Sequence, residues 1–476
     1  MADGLLGYPE YKDSGVEWLG AIPAHWQLKR AKYVFRESDV RSIAGHEELL
    51  SVSHITGVTP RSQKNVTMFK AESYAGSKIC EPSDLVINTM WAWMGALGVS
   101  QYSGIVSPSY GVYRATDKKS FLSDYLDRLL RTPLYIADYV RRSTGIRSSR
   151  LRLYPEQFLE IPLVQPTIDD QKAIVRFLDV ADQRIQQYIR AKQKLVKLLN
   201  EQKQAIIQQA VTRGLDPTVP MKESGVEWLG VIPAYWDVTT LHLRYLAELG
   251  KMLDEKKISG GYLVPYLRNV DVRWGYVNTD DLPQMDIKPD EYDRFLLKPG
   301  DMLICEGGAG VGRTGFWEGH FPVCAYQKAL HRVRVRDSVR DNPRYLFYLM
   351  YLITNLGVVV ADGSVSKIPH LTNEKLRALR LPFPPKDEQD AIVAKLDSAS
   401  ERIDEAIGRI GEQIGRIREY RTRLISDVVT GKVDVRDAAF ALPSEMDEGE
   451  AIDASADDLV EFSDEDAEIE EMTDAE

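Results

Sequence analysis

Two long segments of this 476-residue chain repeat apolar residues at alternating spacings of four and three, a pattern that predicts helices with one continuous apolar edge. The first segment covers residues 168–211 and the second covers residues 387–429. A heptad repeat of this length is typical of a coiled coil rather than of a surface helix on a globule. At a rise of 1.5 Å per residue, about 43 residues predict helices of roughly 65 Å.

The two apolar seams share one heptad frame at an offset of 218 residues. The predicted seam residues are Ile174, Leu178, Ile185, Leu195, Leu199 and Ile206 in the first helix, and Ile392, Leu396, Ile403, Ile410, Ile417 and Leu424 in the second. Each seam alone would expose an apolar stripe to water, so we expect the two helices to pack on each other. A globular segment connects them, which favours an antiparallel coiled coil. Two unrelated helices in larger bundles are the alternative, and the shared frame would then be a coincidence.

The chain is also an internal repeat. Residues 14–26 read SGVEWLGAIPAHW and residues 224–236 read SGVEWLGVIPAYW, which gives 11 identities in 13 positions. A second match pairs DDQKAIVRFLD at 169–179 with DEQDAIVAKLD at 387–397. A repeat dictates the architecture, and these matches predict two copies of one module related by a pseudo-two-fold operation.

The modules themselves have short apolar strands, helices near 121–141 and 343–357, and turns rich in glycine and aromatic residues, which predicts a mixed α/β fold. The predicted organisation is a first module at 1–165, a spacer helix at 166–213, a second module at 214–385, a second spacer helix at 386–435 and an acidic tail at 436–476.

The net charge of −11 is concentrated at the end of the chain. Residues 437–476 contain 17 acidic residues and no lysine or arginine, so we expect this tail to be disordered. Residues 1–436 contain 60 basic and 54 acidic residues, a balance that permits a nucleic-acid partner. The N-terminus lacks a signal-peptide pattern and the three cysteines lack a disulfide or metal spacing, which together predict a cytoplasmic protein.

Each module has two loops that are candidates for DNA contact. A strand leads into the first loop, at 89–98 or 306–315, and the second loop lies at 143–153 or 361–371. Equivalent positions carry different residues, as expected for one scaffold that reads two different DNA sequences. The candidates are Trp91, Trp93, Tyr110, Arg141, Arg142, Arg147, Ser148, Ser149 and Arg150 in the first module, and Gly310, Arg313, Tyr326, Gln327, Lys328, Ser364, Ser366, Lys367 and His370 in the second.

Guanidinium and hydroxyl groups are the usual contacts to phosphates and guanine edges. The alternatives are a solvated turn for the arginine cluster and a core position for the tryptophan pair. Arg332, Arg334 and Arg336 alternate along a strand and are equally consistent with a solvated face.

No catalytic motif is present in the sequence. Residues 307–314 match a phosphate-binding loop except that Arg313 replaces the lysine, but the following FWEGHFP does not start a helix. We find no D-P-P-Y or N-P-P-Y motif of an adenine methyltransferase, no helicase phosphate loop and no cluster of metal ligands. The sequence therefore predicts a protein without catalytic residues, metal or cofactor.

On these residues the chain resembles the specificity subunits of type I restriction-modification systems. The resemblance extends to about Val435 and depends on the duplicated SGVEWLG-IPA-W segment, the D-[DE]-Q-x-A-I-V segment and the two long helices. It does not account for the acidic tail.

The resemblance implies that each module is a target-recognition domain that reads one half of a bipartite site in double-stranded DNA, and that the helices set the spacing and dock methylation subunits. The implied partners are two methylation subunits, which bind S-adenosylmethionine, and restriction subunits, which use ATP and Mg²⁺. A repeat-built adaptor that binds protein, or a nucleotide-binding enzyme using the 307–315 loop, are the alternatives.

Overall fold

The computed structural model describes residues 5–63, 73–117, 119–145, 151–253, 260–359 and 370–443. Several predictions fall outside these ranges. They concern the disordered tail beyond residue 443 and the candidate DNA contacts Arg147, Ser148, Ser149, Arg150, Ser364, Ser366 and Lys367.

Among the described residues, the first module has short strands and three α-helices. The strands are β1 Tyr11–Asp13, β2 Ala21–Pro23, β3 Gln27–Arg30, β4 Phe35–Glu37, β5 Leu50–Ser53, β6 Gly57–Pro60, β7 Lys78–Cys80, β8 Leu85–Ile87, β9 Leu97–Val99, β10 Gly104–Val106, β11 Gly111–Ala115 and β12 Pro162–Gln165. The helices are α1 Ser123–Leu130, α2 Pro133–Arg142 and α3 Pro155–Leu159, and the long helix α4 Ile168–Arg213 follows β12.

The second module has a similar set of elements. Its strands are β13 Met221–Glu223, β14 Val231–Pro233, β15 Asp237–Thr240, β16 Tyr245–Leu249, β17 Leu263–Leu267, β18 Gln284–Asp286, β19 Met302–Cys305, β20 Thr314–Phe316, β21 Ala325–Tyr326, β22 Leu330–Val335 and β23 Arg380–Phe383. Its helices are α5 Leu241–Arg244, α6 Tyr292–Phe295, α7 Pro343–Asn355 and α8 Asn373–Ala378, and the long helix α9 Lys386–Val429 and the short α10 Arg436–Phe440 follow.

The two modules share the strand order of their four-stranded sheet and of two strand pairs. The four-stranded antiparallel sheet has the order β4-β11-β8-β9 in the first module and β16-β22-β19-β20 in the second. Pairs β1-β2 and β3-β12 of the first module correspond to β13-β14 and β15-β23 of the second. The mixed α/β fold and the internal repeat predicted from the sequence are therefore confirmed.

A buried carboxylate–arginine pair crosses the same two strands of each sheet. Arg114 donates to both oxygens of Asp84 at 2.9 and 2.8 Å, and Arg334 makes the same paired contact with Asp301. Arg332 is buried and pairs with Glu248. The alternating arginines of β22 are therefore structural at these two positions, and not a solvated or DNA-facing row.

The tertiary contacts divide the chain into two compact units. One unit contains residues 1–189 and 415–476, and the other contains residues 190–414. Each unit thus holds one module together with a part of α4 and a part of α9. We describe each unit by itself.

In the unit with the first module, α4 and α9 run antiparallel. Arg421 donates to Asp182 at 3.0 Å, whereas Arg436, which follows the end of α9, lies 4.0 Å from Asp170 at the start of α4. The apolar core of this unit includes Ile174 and Leu178 of α4 with Leu424, Val428 and Val429 of α9. The seam is therefore continuous with the core of the module.

In the unit with the second module, the helices are also antiparallel. Lys203 contacts Asp404 at 2.7 Å, and a Cβ atom on Gly214, just after α4, would lie 2.8 Å from a carboxylate oxygen of Glu388 at the start of α9. Ile207, Ala210 and Val211 share a core with Ile392 and Leu396. The predicted antiparallel packing is confirmed.

The predicted seam is wrong at one residue. Leu195 is 42% exposed, and its neighbour Val196 is half-buried in its place. The equivalent shift occurs in α9, where Gln413 is exposed and Ile414 is half-buried. The buried or half-buried positions Ala181, Ile185 and Ile189 of α4 follow each other in two successive steps of four, where a heptad would have a step of four and then a step of three. The extra residue moves the seam by one position. The other predicted seam residues are buried or half-buried.

Each D-[DE]-Q segment clamps the start of a long helix to its module. The side chains of Gln171 and Gln389 are fully buried. Gln171 accepts from the Leu122 amide at 2.8 Å, and Gln389 accepts from the Asn342 amide at 2.9 Å. Both amide nitrogens donate to the carbonyl of a preceding proline. These paired contacts explain why the segment repeats in the sequence.

The folded part of the chain extends past the predicted start of the tail at residue 436. Helix α10 buries Ala439, and Arg176 of α4 donates to the carbonyls of Leu442 and Pro443 at 2.7 and 2.8 Å. The boundary predicted from charge alone is therefore too early, because α10 contributes to the core. Among the described residues, no helix is long and apolar enough to cross a membrane.

Candidate nucleic-acid interface

The two candidate loops of each module lie side by side, and the same backbone hydrogen bond joins them in both modules. In the first module the Leu153 amide donates to the Thr89 carbonyl at 3.0 Å. In the second module the Leu371 amide donates to the Glu306 carbonyl at 2.7 Å. The scaffold therefore brings together the loops that the sequence placed about 60 residues apart.

In the first module, the strand β8 is followed by a loop that contains a short 3-10 helix at Ala92–Met94. Trp91 and Trp93 flank and enter this helix, and both are half-buried. The indole nitrogen of Trp93 is buried without a hydrogen-bond partner among the described residues. The hydroxyl of Tyr110 accepts from the Asn88 amide group at 3.1 Å. Trp91, Trp93 and Tyr110 are all half-buried, so a part of each side chain is accessible to a ligand.

Arg141 and Arg142 both bind one buried carboxylate. Asp138 has no exposed side-chain area and pairs with each arginine at 2.6 Å. Arg142 is 20% exposed, whereas Arg141 is 65% exposed. Arg142 is thus partly buried with its Nε bound to Asp138, and its contact with DNA stays a prediction, as does that of the more exposed Arg141. The two arginines line a cavity of about 740 Å³ next to the repeated segment around Trp18 rather than the candidate loops.

In the second module, the glycine-rich loop is followed by the strand β20 and not by a helix. A phosphate-binding loop needs the amides of a helix N-terminus, so the loop lacks the geometry of a nucleotide site. The guanidinium of Arg313 folds over Gly310 and donates to the Val272 carbonyl at 3.3 Å. The side chain of Asn269 donates to the Gly307 carbonyl at 2.8 Å. The loop is therefore held by the segment that follows β17.

Lys328 and His370 are exposed beside this loop, and Gln327 is half-buried. His370 forms an isolated backbone bridge with Gly307. The pKa of Glu306 is raised because its carboxyl group is partly buried, and nearby His370 and Lys328 only partly offset this effect. One carboxylate thus lies among these candidate cations.

Tyr326 was predicted to contact DNA, and this prediction is wrong for the conformation described. Its side chain is fully buried, and its hydroxyl donates to the Arg294 carbonyl at 3.3 Å. The guanidinium of Arg332 lies 5.5 Å from its ring centre. Tyr326 therefore supports the sheet instead of reaching the surface.

Sequence reasoning missed a tight turn in each module that lies next to the candidate loops. The turns are residues 54–57, between β5 and β6, and residues 273–276, after β17. The glycines Gly57 and Gly275 lie 218 residues apart and both adopt positive φ angles, at 67° and 84°. That shared offset is the sequence signal that could have identified the turns.

Three cysteines and His331 are buried in the two modules. Within the described ranges, no group of three or more His, Cys, Asp or Glu could hold a metal ion. Burial raises the pKa of Cys80 to about 11 and that of Cys305 and Cys324 to about 12, so these thiols are not activated nucleophiles. Burial lowers the pKa of His331, whose Nε2 donates to the Leu371 carbonyl at 2.7 Å.

Comparison with known proteins connects this geometry to one family. Residues 237–414 match the model of the type I restriction modification DNA specificity domain. The chain is 24% identical over 274 residues to the type I restriction enzyme MjaX specificity subunit of Methanocaldococcus jannaschii, a match that covers 56% of this chain and 57% of the relative. This alignment spans little more than half of that relative's length. This chain is also 21% identical to the type I restriction enzyme EcoKI specificity subunit of Escherichia coli K12, in a match that covers 67% of this chain and 68% of that subunit.

A solved structure has a similar fold. One chain from work on complex assembly and conformational transition of the type I R-M system matches with a TM-score of 0.63 and 16% identity, and covers 86% of this chain and 98% of its own length. At this identity the likeness concerns the fold alone.

Proposed function

We propose that this chain is a specificity subunit of a type I restriction-modification system, because it is similar to the specificity-domain model and to the EcoKI specificity subunit. In this proposal each module recognises one half of a bipartite target in double-stranded DNA, and the paired helices set the distance between the two halves. The observation that carries it is the equivalent placement of two unlike loop pairs on one repeated scaffold, through the Leu153–Thr89 and Leu371–Glu306 hydrogen bonds.

Two chemically different surfaces on one scaffold suit two different half-sites. The first module presents half-buried tryptophans at its candidate loops, whereas the second presents a glycine-rich backbone with Arg313, Lys328 and His370. Base edges in the major groove carry different donor and acceptor patterns, so unlike side chains select unlike sequences. The cations add contacts to phosphates, which position the protein without selecting a sequence.

We also propose that α4 docks a methylation subunit. Ala191, Leu195 and Leu198 lie on one face of α4, away from the seam with α9, and Leu195 and Leu198 are 42% and 51% exposed. An exposed apolar row on a long helix is typical of a surface that packs against another helix. The equivalent positions of α9 are the polar residues Arg409, Gln413 and Arg416, so the row belongs to α4 alone.

In this proposal the chain itself is not an enzyme and holds no cofactor. S-adenosylmethionine, ATP and Mg²⁺ belong to methylation and restriction subunits in the complex. The protein-binding adaptor and the nucleotide-binding enzyme are less consistent with the observations, since the family match concerns DNA specificity and a strand follows the glycine-rich loop.

Sequencing of methylated bases tests the proposal. The chain is expressed with its own methylation subunits in a host that lacks other DNA methylation. We expect one bipartite methylated motif for the wild-type chain. Replacing residues 143–153 should change one half of the motif and leave the other half and the spacer intact. A motif that changes in both halves, or the absence of any bipartite motif, would contradict the proposal.

A further inference from the structure

We propose that the tight turns at residues 273–276 and 54–57 contact base edges and help to set the sequence read by their modules. This inference deepens the proposed function and rests on it. It assigns recognition to two segments outside the candidate loops, at equivalent places in the two modules.

The turn in the second module has a backbone fixed at several points. The Arg273 amide donates to the Tyr276 carbonyl at 3.0 Å, which closes the turn. The Gly275 amide donates to the Thr314 carbonyl at 2.9 Å, which attaches the turn to the strand β20 at the end of the four-stranded sheet. The ring of Trp274 packs edge-on against Tyr351 of α7, with ring centres 5.0 Å apart. The turn is therefore held by both the sheet and a helix.

This fixed backbone leaves two side chains directed to solvent. Arg273 is exposed and Tyr276 is 58% exposed. No carboxylate of the described residues forms an ion pair with Arg273, in contrast to Arg268, which pairs with Asp271 at 2.8 Å. An uncompensated guanidinium can donate two hydrogen bonds to a guanine edge, and a tyrosine ring can pack on a base or donate through its hydroxyl. Because the backbone is already ordered, binding loses less conformational entropy.

A glycine in the adjoining strand makes room for each turn. A Cβ atom on Gly315 of β20 would lie 2.3 Å from the Tyr276 carbonyl oxygen, a distance that backbone atoms do not tolerate. A Cβ atom on Gly98 of β9 would lie 3.2 Å from Gly57 Cα. The two glycines are 217 residues apart at the same end strand of the two sheets. The scaffold thus accommodates a turn at this place in both modules.

The first module anchors its turn differently and presents different chemistry. The guanidinium of Arg131 donates to the carbonyls of His54 and Ile55 at 2.8 and 2.7 Å, in place of the tryptophan contact of the second module. The side chain of Ile55 is 57% exposed. An aliphatic side chain at this position suits contact with a thymine methyl group, whereas Arg273 suits a guanine. A constant position with unlike side chains is what two unlike half-sites require.

The turn of the second module is continuous with the glycine-rich loop. Arg313 of the loop donates to the Val272 carbonyl, and Asn269 donates to the Gly307 carbonyl. The exposed Arg273, which follows Val272, therefore lies next to the glycine-rich loop. A duplex that contacts the loop would lie within reach of the turn.

Single substitutions in the full complex test this inference. Arg273→Ala and Tyr276→Ala are each expressed with the methylation subunits, and methylated sites are sequenced. We expect the half-site read by the second module to become degenerate at one or two positions, with roughly tenfold less methylation of the original motif. Ile55→Ala should affect only the other half-site. Unfolding midpoints equal to that of the wild type exclude misfolding as the cause.

Arg340→Ala is the matched control. Arg340 is an exposed arginine of the same module that follows the C-terminal end of β22, whereas the candidate Lys328 precedes its N-terminal end. A wild-type chain without a bipartite motif would defeat the proposed function and this inference together. If the wild-type chain has a bipartite motif, and Arg273→Ala and Tyr276→Ala leave that motif unchanged just as the control does, this inference alone would be overturned. A uniform loss of methylation without degenerate positions would indicate phosphate contact and would also overturn it.

Discussion

The indole nitrogen of Trp26 donates to the carboxylate of Asp170 at 2.9 Å, and both side chains are buried. This bond ties the repeated opening segment of the first module to the first turn of α4. Trp236 and Glu388 repeat it at 3.0 Å in the second module. The identical tryptophans of the sequence repeat thus have one structural task, which is to attach each module to a long helix.

Trp26→Phe should destabilise the first unit. The substitution keeps an aromatic side chain but removes the indole N–H, so the buried Asp170 has one hydrogen-bond donor fewer, which costs about 1–3 kcal/mol. Urea unfolding measures the loss. Trp18→Phe is the matched control from the same segment, because the Trp18 indole nitrogen is buried without a partner among the described residues. If the two variants were equally stable, the carboxylate contact would contribute nothing.

His331 should make stability depend on pH on the acidic side of its ordinary pKa of 6.5. Burial lowers its pKa in the folded state, so below 6.5 the unfolded chain takes up a proton that the folded chain does not. The free energy of unfolding then falls as the pH falls, and it is unaffected by this group above that range. His331→Gln removes the titration and should flatten the profile between about pH 5 and pH 7 relative to the wild type. Parallel profiles would contradict the assignment.

Deleting residues 190–196 and 408–414 together should shorten the spacer of the recognised DNA. The two segments are equivalent at the 218-residue offset, and their removal shortens each helix by about 10 Å, near three base pairs. Methylated-base sequencing should find both half-sites unchanged and about three spacer bases lost. Deleting only one segment breaks the register of the two seams and should abolish methylation. An unchanged spacer in the double deletion would show that the helices do not set the distance.

Leu195→Glu combined with Leu198→Glu should release the methylation subunit. Both side chains are exposed on α4, so the fold should tolerate the charges, whereas an apolar helix interface should not. Copurification of the methylation subunit with the tagged chain measures the effect. Gln413→Glu places a charge at the equivalent position of α9 and should leave copurification intact. Equal recovery with all variants would exclude the α4 face as the docking surface.

The parts of the fold that follow a regular period could be predicted from the sequence, and the parts set by distant contacts could not. The repeat and both long helices follow from periodic apolar residues. The shift from Leu195 to Val196 was missed, because both residues are apolar and only packing decides between them. Asp138 lies next to Arg141 and Arg142 on one helix. The complete burial of Asp138, and therefore its ion pairs with both arginines, depends on the tertiary fold. The turn at 273–276 is short and irregular, and its position depends on Thr314 and Tyr351.

The division of α9 between the two units has a consequence for the order in which the chain becomes structured on the ribosome. The second unit is one unbroken stretch, residues 190–414, so all of its core has been synthesised once that stretch has emerged. The first module needs Leu424, Val428 and Val429, and Tyr125 donates its hydroxyl proton to the Val429 carbonyl at 2.9 Å. The part of the protein that is translated first is therefore the last to be completed, and a chain that stops near residue 414 would lack part of the core at its beginning rather than at its end.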